Sequence, residues 1–84
     1  LYNLNNYKIT KYNCNNDIRF EKRANNVWHE YKNGELEYVY KCIYSKNKEN
    51  YLYDYDRKFH IKINSNSVNM LKDDQWIKLY DIHK

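Results

Sequence analysis

The stretch Asn33-Gly34-Glu35-Leu36-Glu37-Tyr38-Val39-Tyr40-Lys41-Cys42-Ile43-Tyr44 decides the fold class. Leu36, Tyr38, Tyr40, Cys42 and Tyr44 are uniformly apolar or aromatic. Glu35, Glu37, Val39, Lys41 and Ile43 alternate with them. A period of two over ten residues is a β-strand with its first set turned to a core. The preceding Asn33-Gly34 is a strong hairpin signal, because a type I′ turn needs positive φ at both central residues. The partner strand is therefore predicted over 26–31, carrying Trp28.

Outward from this hairpin the same period recurs. After the solvated turn at 45–50, a short strand covers 51–54. Asp54-Tyr55-Asp56-Arg57 reads as a turn, since Asp at its first position can bond backbone two residues on. Residues 58–64 alternate again, with Phe59, Ile61 and Ile63 inward and Lys58, His60 and Lys62 outward. Turns at 64–66 and 72–75 separate a strand at 68–71 from a last one at 75–82. Weaker strand signals lie at 7–12 and 18–22, and a helix is the alternative at 17–25 or in the final turn. The expected fold is all-β: a single domain over 1–84, an antiparallel meander of about seven short strands closing into a small barrel or compact sandwich.

Composition sets the bounds on stability. A mean hydropathy of -1.18 would suit a disordered chain, but aromatic residues make up 18%, which disordered chains lack. The core is expected to be built from Tyr, Trp, Ile and Leu. A chain this short buries only about 60% of its unfolded surface. Cys14 and Cys42 could offset a thin core with a disulfide closing about 28 residues, worth roughly 3–4 kcal/mol. There is one Gly, no Pro, and an abundance of Asn, Lys, Tyr and Ile. Those four residues have AT-rich codons, so an AT-rich genome accounts for part of this bias.

The charge of +4 serves solubility and is compatible with an anionic partner without requiring one. No apolar run approaches a membrane span. The chain opens on Leu1 rather than Met, the reading expected for one domain of a longer precursor. Together with the Tyr/Asn surface and a Cys14–Cys42 bridge in place of two buried thiols, this leans towards a secreted or surface-exposed setting.

Few residues suggest catalysis. His29, His60 and His83 lack metal-ligand spacing, and Cys14 and Cys42 form no Cys-x-x-Cys pair, so neither metal nor cofactor is expected. One Gly rules out a phosphate-binding loop. His29 and His60 could serve as acid and base in a small metal-independent ribonuclease only if both reach one phosphate. The densest suggestive cluster is Tyr51, Tyr53, Tyr55, Arg57, Lys58, His60 and Lys62. Rings interleaved with cations suit a protein interface, a glycan-binding face, or a single-stranded nucleic-acid surface. The expected function is a non-catalytic recognition or assembly module that binds a protein or glycan through an aromatic, polar sheet face. A small-barrel binder of single-stranded nucleic acid is the alternative, and strand edges free of Pro offer a route to a homo-oligomer.

Overall fold

A computed structural model describes residues 10–83. Eight strands follow one another: β1 (Lys11–Cys14), β2 (Ile18–Ala24), β3 (Val27–Lys32), β4 (Glu35–Lys46), β5 (Glu49–Asp54), β6 (Phe59–Ile63), β7 (Ser67–Lys72) and β8 (Gln75–His83). Each pairs antiparallel with the next, and β1 returns to β8 to close a barrel. The all-β meander expected from the sequence is therefore observed as a barrel, with eight strands rather than seven. The stretch at 17–25 is strand β2, and β8 continues as strand to His83. Part of the strand expected at 7–12 lies outside the described residues.

Two-residue turns set the register. Lys32 pairs with Glu35 across Asn33-Gly34, Lys46 with Glu49 across Asn47-Lys48, and Lys72 with Gln75 across Asp73-Asp74. All six turn residues have positive φ, from 51° at Asp73 to 81° at Gly34. That is the type I′ geometry whose twist matches the flanking strands. Among the described residues, nine positions other than glycine adopt positive φ. Seven of these are Asn or Asp, which tolerate the left-handed region because their short polar side chains bond locally. In a chain with one Gly, Asn and Asp make the turns.

The barrel interior is closed by side chains. Phe20, Trp28, Tyr40, Leu52, Ile61, Ile63 and Val68 are all fully buried. An eight-stranded barrel is just wide enough for such a filling. Tyr12 stacks on Trp28 with ring centroids 6.0 Å apart, and Phe20 lies between Tyr40 and Tyr80 at 6.1 and 6.5 Å. Each buried large side chain adds about 1.5–3 kcal/mol of hydrophobic stabilisation. Among the described residues the Trp28 indole Nε1 has no hydrogen-bond partner, so Trp28 serves the core through packing and ring stacking.

Two bulges change the expected facing of β4. Register shifts lie between Glu30 and Tyr31 on the β3 side and between Cys42 and Tyr44 on the β5 side. An extra residue reverses the alternation beyond it. Tyr38, Tyr40 and Cys42 keep to the interior, whereas Leu36 and Tyr44, both expected in the core, are 50% and 55% exposed.

The expected disulfide is absent. Cys14 and Cys42 are free thiols, on β1 and β4 with β2 and β3 between them. Cys14 is buried against the core, and its thiol is pushed up to about 11 by burial and by the nearby Glu30. The Cys42 Sγ lies 3.3 Å from Ser45 Oγ at the other end of the barrel.

Closure also bears on assembly through strand edges. It leaves neither β1 nor β8 as a full free edge. The seam is short, however, with two register pairs, Asn13 with His83 and Cys14 with Ile82. Among the described residues, the rest of β8 has no strand on that side. Lys78 sits in the middle of that stretch, as charges commonly do where an edge must resist pairing.

Candidate functional site

The β5–β6 hairpin carries most of the cluster singled out in the sequence. Tyr51 pairs with Lys62 and Tyr53 with His60. Their alternates Leu52 and Ile61 fill the core, so these four side chains stand on the outer wall. The rings are in mutual contact. Tyr53 packs 4.4 Å from His60 and meets Tyr55 edge-on at 4.7 Å. Tyr51 lies 5.5 Å from Tyr44 and 5.9 Å from Trp76. The Lys62 ammonium sits 4.7 Å above the Trp76 ring. The Tyr51 hydroxyl donates to Glu49 at 3.2 Å. The result is an aromatic outer wall of two ring groups, Tyr44, Tyr51 and Trp76 in one and Tyr53, Tyr55 and His60 in the other.

Tyr44 and Trp76 were not in the expected cluster. Tyr44 reaches the wall only because the bulge before it turns it outward, and Trp76 arrives from a strand distant in sequence. Two expected members are placed elsewhere. Lys58 occupies a turn position with φ of 55°, and Arg57 folds back over one end of the barrel.

That end is a buried polar network with no counterpart in the sequence reading. Asp54 Oδ1 accepts the backbone N–H groups of Asp56 and Arg57 at 2.9 and 3.2 Å, the turn expected of an Asp at that position. Its Oδ2 accepts from Arg57 Nε at 2.6 Å. Arg57 Nη2 donates to the Tyr40 hydroxyl at 2.7 Å, and that hydroxyl donates to Glu30 Oε1 at 2.5 Å. The guanidinium lies 3.3 Å from the Tyr38 ring centroid and 4.8 Å from that of Phe59. Burial pushes the Asp54 carboxyl up, but the bonds from Arg57 and the turn outweigh it and hold Asp54 below its ordinary value. For Glu30 burial dominates, and the carboxyl is raised despite the Tyr40 bond and the Arg57 charge. The network borders a mouth cavity of about 270 Å³ with Ile18, Tyr38, Phe59 and Tyr80 in its walls and Lys32 and Glu37 at its rim.

A second charged group lies on the outside of β2. Glu21, itself buried, is bracketed by Arg19 at 2.5 Å and Arg23 at 2.8 Å. Arg19 also covers the Tyr31 ring at 4.5 Å. His29 Nδ1 is 3.2 Å from the Tyr31 hydroxyl, and its ring is held below its ordinary value by burial and by Arg23.

His29 and His60 are not brought together. They project outward from β3 and β6, with β4 and β5 between them. The His29 ring packs on Tyr31 and the His60 ring on Tyr53. Among the described residues, no group of three His, Cys, Asp or Glu could hold a metal ion, and no helix is long and apolar enough to cross a membrane. Comparison with protein-family models, with curated proteins and with solved structures finds no match.

Proposed function

We propose that this domain is a non-catalytic recognition module that binds a protein partner through the aromatic wall of β4–β8. One observation carries the reading. The barrel core is filled, yet Tyr44, Tyr55 and Trp76 remain 55%, 64% and 38% exposed, Tyr44 and Trp76 against Tyr51 and Tyr55 against Tyr53. Contiguous exposed rings on a domain whose core does not need them mark an interaction surface. Tyr and Trp are also the residues that dominate protein interfaces. They are already packed on one another, so little side-chain entropy is lost on binding.

Two features favour a protein over a glycan or a nucleic acid. Sugar and base stacking need open ring faces, and here Trp76 is covered by Lys62 and Tyr53 is flanked by Tyr55 and His60. A nucleic-acid surface would also need Lys41, Arg57, Lys58 and Lys62 on a common face. Arg57 is instead committed to Asp54, Lys58 sits in a turn, and Lys62 is held over the Trp76 ring.

The test is comparative capture followed by measurement with purified components. The wild-type domain, a Tyr53→Ala/Trp76→Ala variant and a Lys22→Ala control on another strand are used to capture partners. Each retained protein is then purified and titrated. Truncating a hot-spot ring costs about 2 kcal/mol or more, roughly thirtyfold in Kd. A protein bound equally by all three variants would refute the wall as the binding surface. Wall-dependent binding to a glycan array or to single-stranded RNA, with no protein partner, would replace the protein by that ligand.

A further inference from the structure

We propose a second, separate site: the barrel mouth binds a small primary ammonium compound with a ring-sized apolar body, held by Glu30. Three observations converge on this chemistry, and none depends on the outer wall.

The first is charge. Arg57 and Asp54 answer one another at 2.6 Å. Lys32 and Glu37 at the rim are opposite in sign. Glu30 is left over: it is 6% exposed, and its one hydrogen bond among the described residues is the Tyr40 hydroxyl on Oε1. Among the described residues the other carboxylate oxygen has no donor, although Glu30 lines the cavity. A buried acid whose nearby cation, Arg57, is already paired with Asp54 is costly to keep and is a candidate functional position. Burial raises the Glu30 carboxyl, and a bound cation would oppose that shift.

The second is the wall. The cavity is bordered by the rings of Tyr38, Phe59 and Tyr80 with Ile18 beside them. Ring faces attract cations, and the Arg57 guanidinium already occupies those of Tyr38 and Phe59, 3.3 and 4.8 Å from their centroids, so Tyr80 and Ile18 are left to the apolar body of the ligand. Those contacts and the Asp54 bond commit Arg57, which makes the mouth a poor anion site. The third is size. A cavity of about 270 Å³ with a few converging polar groups in a barrel mouth fits the general form of a ligand site. It has room for one ring and a short amine arm.

The test uses three probes of one shape and different charge: 2-phenylethylamine, 2-phenylethanol and phenylacetate. Each is titrated into the folded, isotope-labelled domain, and amide shifts are followed by NMR. The amine is expected to shift the amides of Glu30, Tyr38 and Phe59 with a millimolar Kd. The alcohol should bind at least tenfold more weakly, and the acid should not bind. Glu30→Gln should weaken the amine at least tenfold and leave the alcohol unchanged. Leu79 also lines the cavity, and Leu79→Trp should block both the amine and the alcohol. It serves as the independent variant if Glu30→Gln does not fold. Phenylacetate binding more tightly than the amine would overturn the proposal in favour of an anion site at Arg57. So would the absence of mouth shifts with the amine at tens of millimolar, or amine binding indifferent to Glu30→Gln or to Leu79→Trp.

Discussion

Removing the Arg57 guanidinium should unbalance the barrel mouth more than any other single surface-reachable change. Arg57→Met keeps the aliphatic stem against Tyr38 and Phe59 and deletes only the charge. Asp54, 3% exposed, then loses its ion pair while keeping two backbone hydrogen bonds, and Tyr40 loses the donor at 2.7 Å. Breaking a buried pair from one side costs about 3–5 kcal/mol. The Arg57 side chain is 33% exposed, so water can reach the bared carboxylate, and the cost falls to roughly 2–3 kcal/mol. For a domain of this size that is a fall in Tm of roughly 10–20 °C. The assay is thermal and urea unfolding followed by tryptophan fluorescence, since Trp28 is buried in the core. The double variant Arg57→Met/Asp54→Asn should recover about half the loss, because Asn keeps the turn bonds without a stranded charge. The effect also has a pH signature. Asp54 is held below its ordinary value of 3.8, so its stabilisation is present above that value and is lost as pH falls through the folded one. Arg57→Met should lose that acid-limb slope. A loss under about 1 kcal/mol at neutral pH, or a double variant no better than the single one, would refute this account of the mouth.

Other expectations are briefer. Lys48 holds φ of 66° in the second position of a type I′ turn, so Lys48→Gly should stabilise by about 0.5–1 kcal/mol, checked by Tm. A decrease would mean the Lys48 side chain makes a contact that matters. Glu30 has a raised folded value, so the native state prefers it protonated and stability falls as pH rises through that value. Glu30→Gln should therefore raise Tm at about pH 8 while changing little at about pH 4, in a pH series of melts. Cys14 is 6% exposed with its thiol raised to about 11, so thiol labelling read by mass spectrometry should modify Cys14 only as fast as the barrel unfolds. Labelling faster than unfolding would mean the Cys14 end opens locally.

What the sequence disclosed follows the local rules. Asn33-Gly34 demanded a turn with two positive φ angles, and Phe59, Ile61 and Ile63 could face one way only if the segment was strand. Asp54 gave away its turn because its side chain bonds backbone two residues on. The rest depended on non-local geometry. A period of two carried the facing of Tyr38 and Tyr40 correctly but could not see the bulges that expel Leu36 and Tyr44. Arg57 looked like a member of a surface cluster because its neighbours are. Its true partners, Tyr38 and Tyr40, lie on another strand. Glu30 sits among residues that read as one face of an ordinary strand, and nothing nearby in sequence announces that it points inside.

The two-rung seam between β1 and β8 has a consequence for how the chain folds. Among the described residues, seven of the eight strand interfaces join consecutive strands, several through two-residue turns, so most contacts are local in sequence. Only closure spans the chain, and it must overcome the loop entropy of the whole barrel for two register pairs. Folding should accordingly be fast for an all-β domain, with the central hairpins forming early and the seam locking last. In the native state the seam should open first. Amide protons of Asn13 and Cys14 should exchange through that opening with far less protection than those of Leu52 or Ile61. The barrel thus behaves as a curled ribbon fastened by a small clasp.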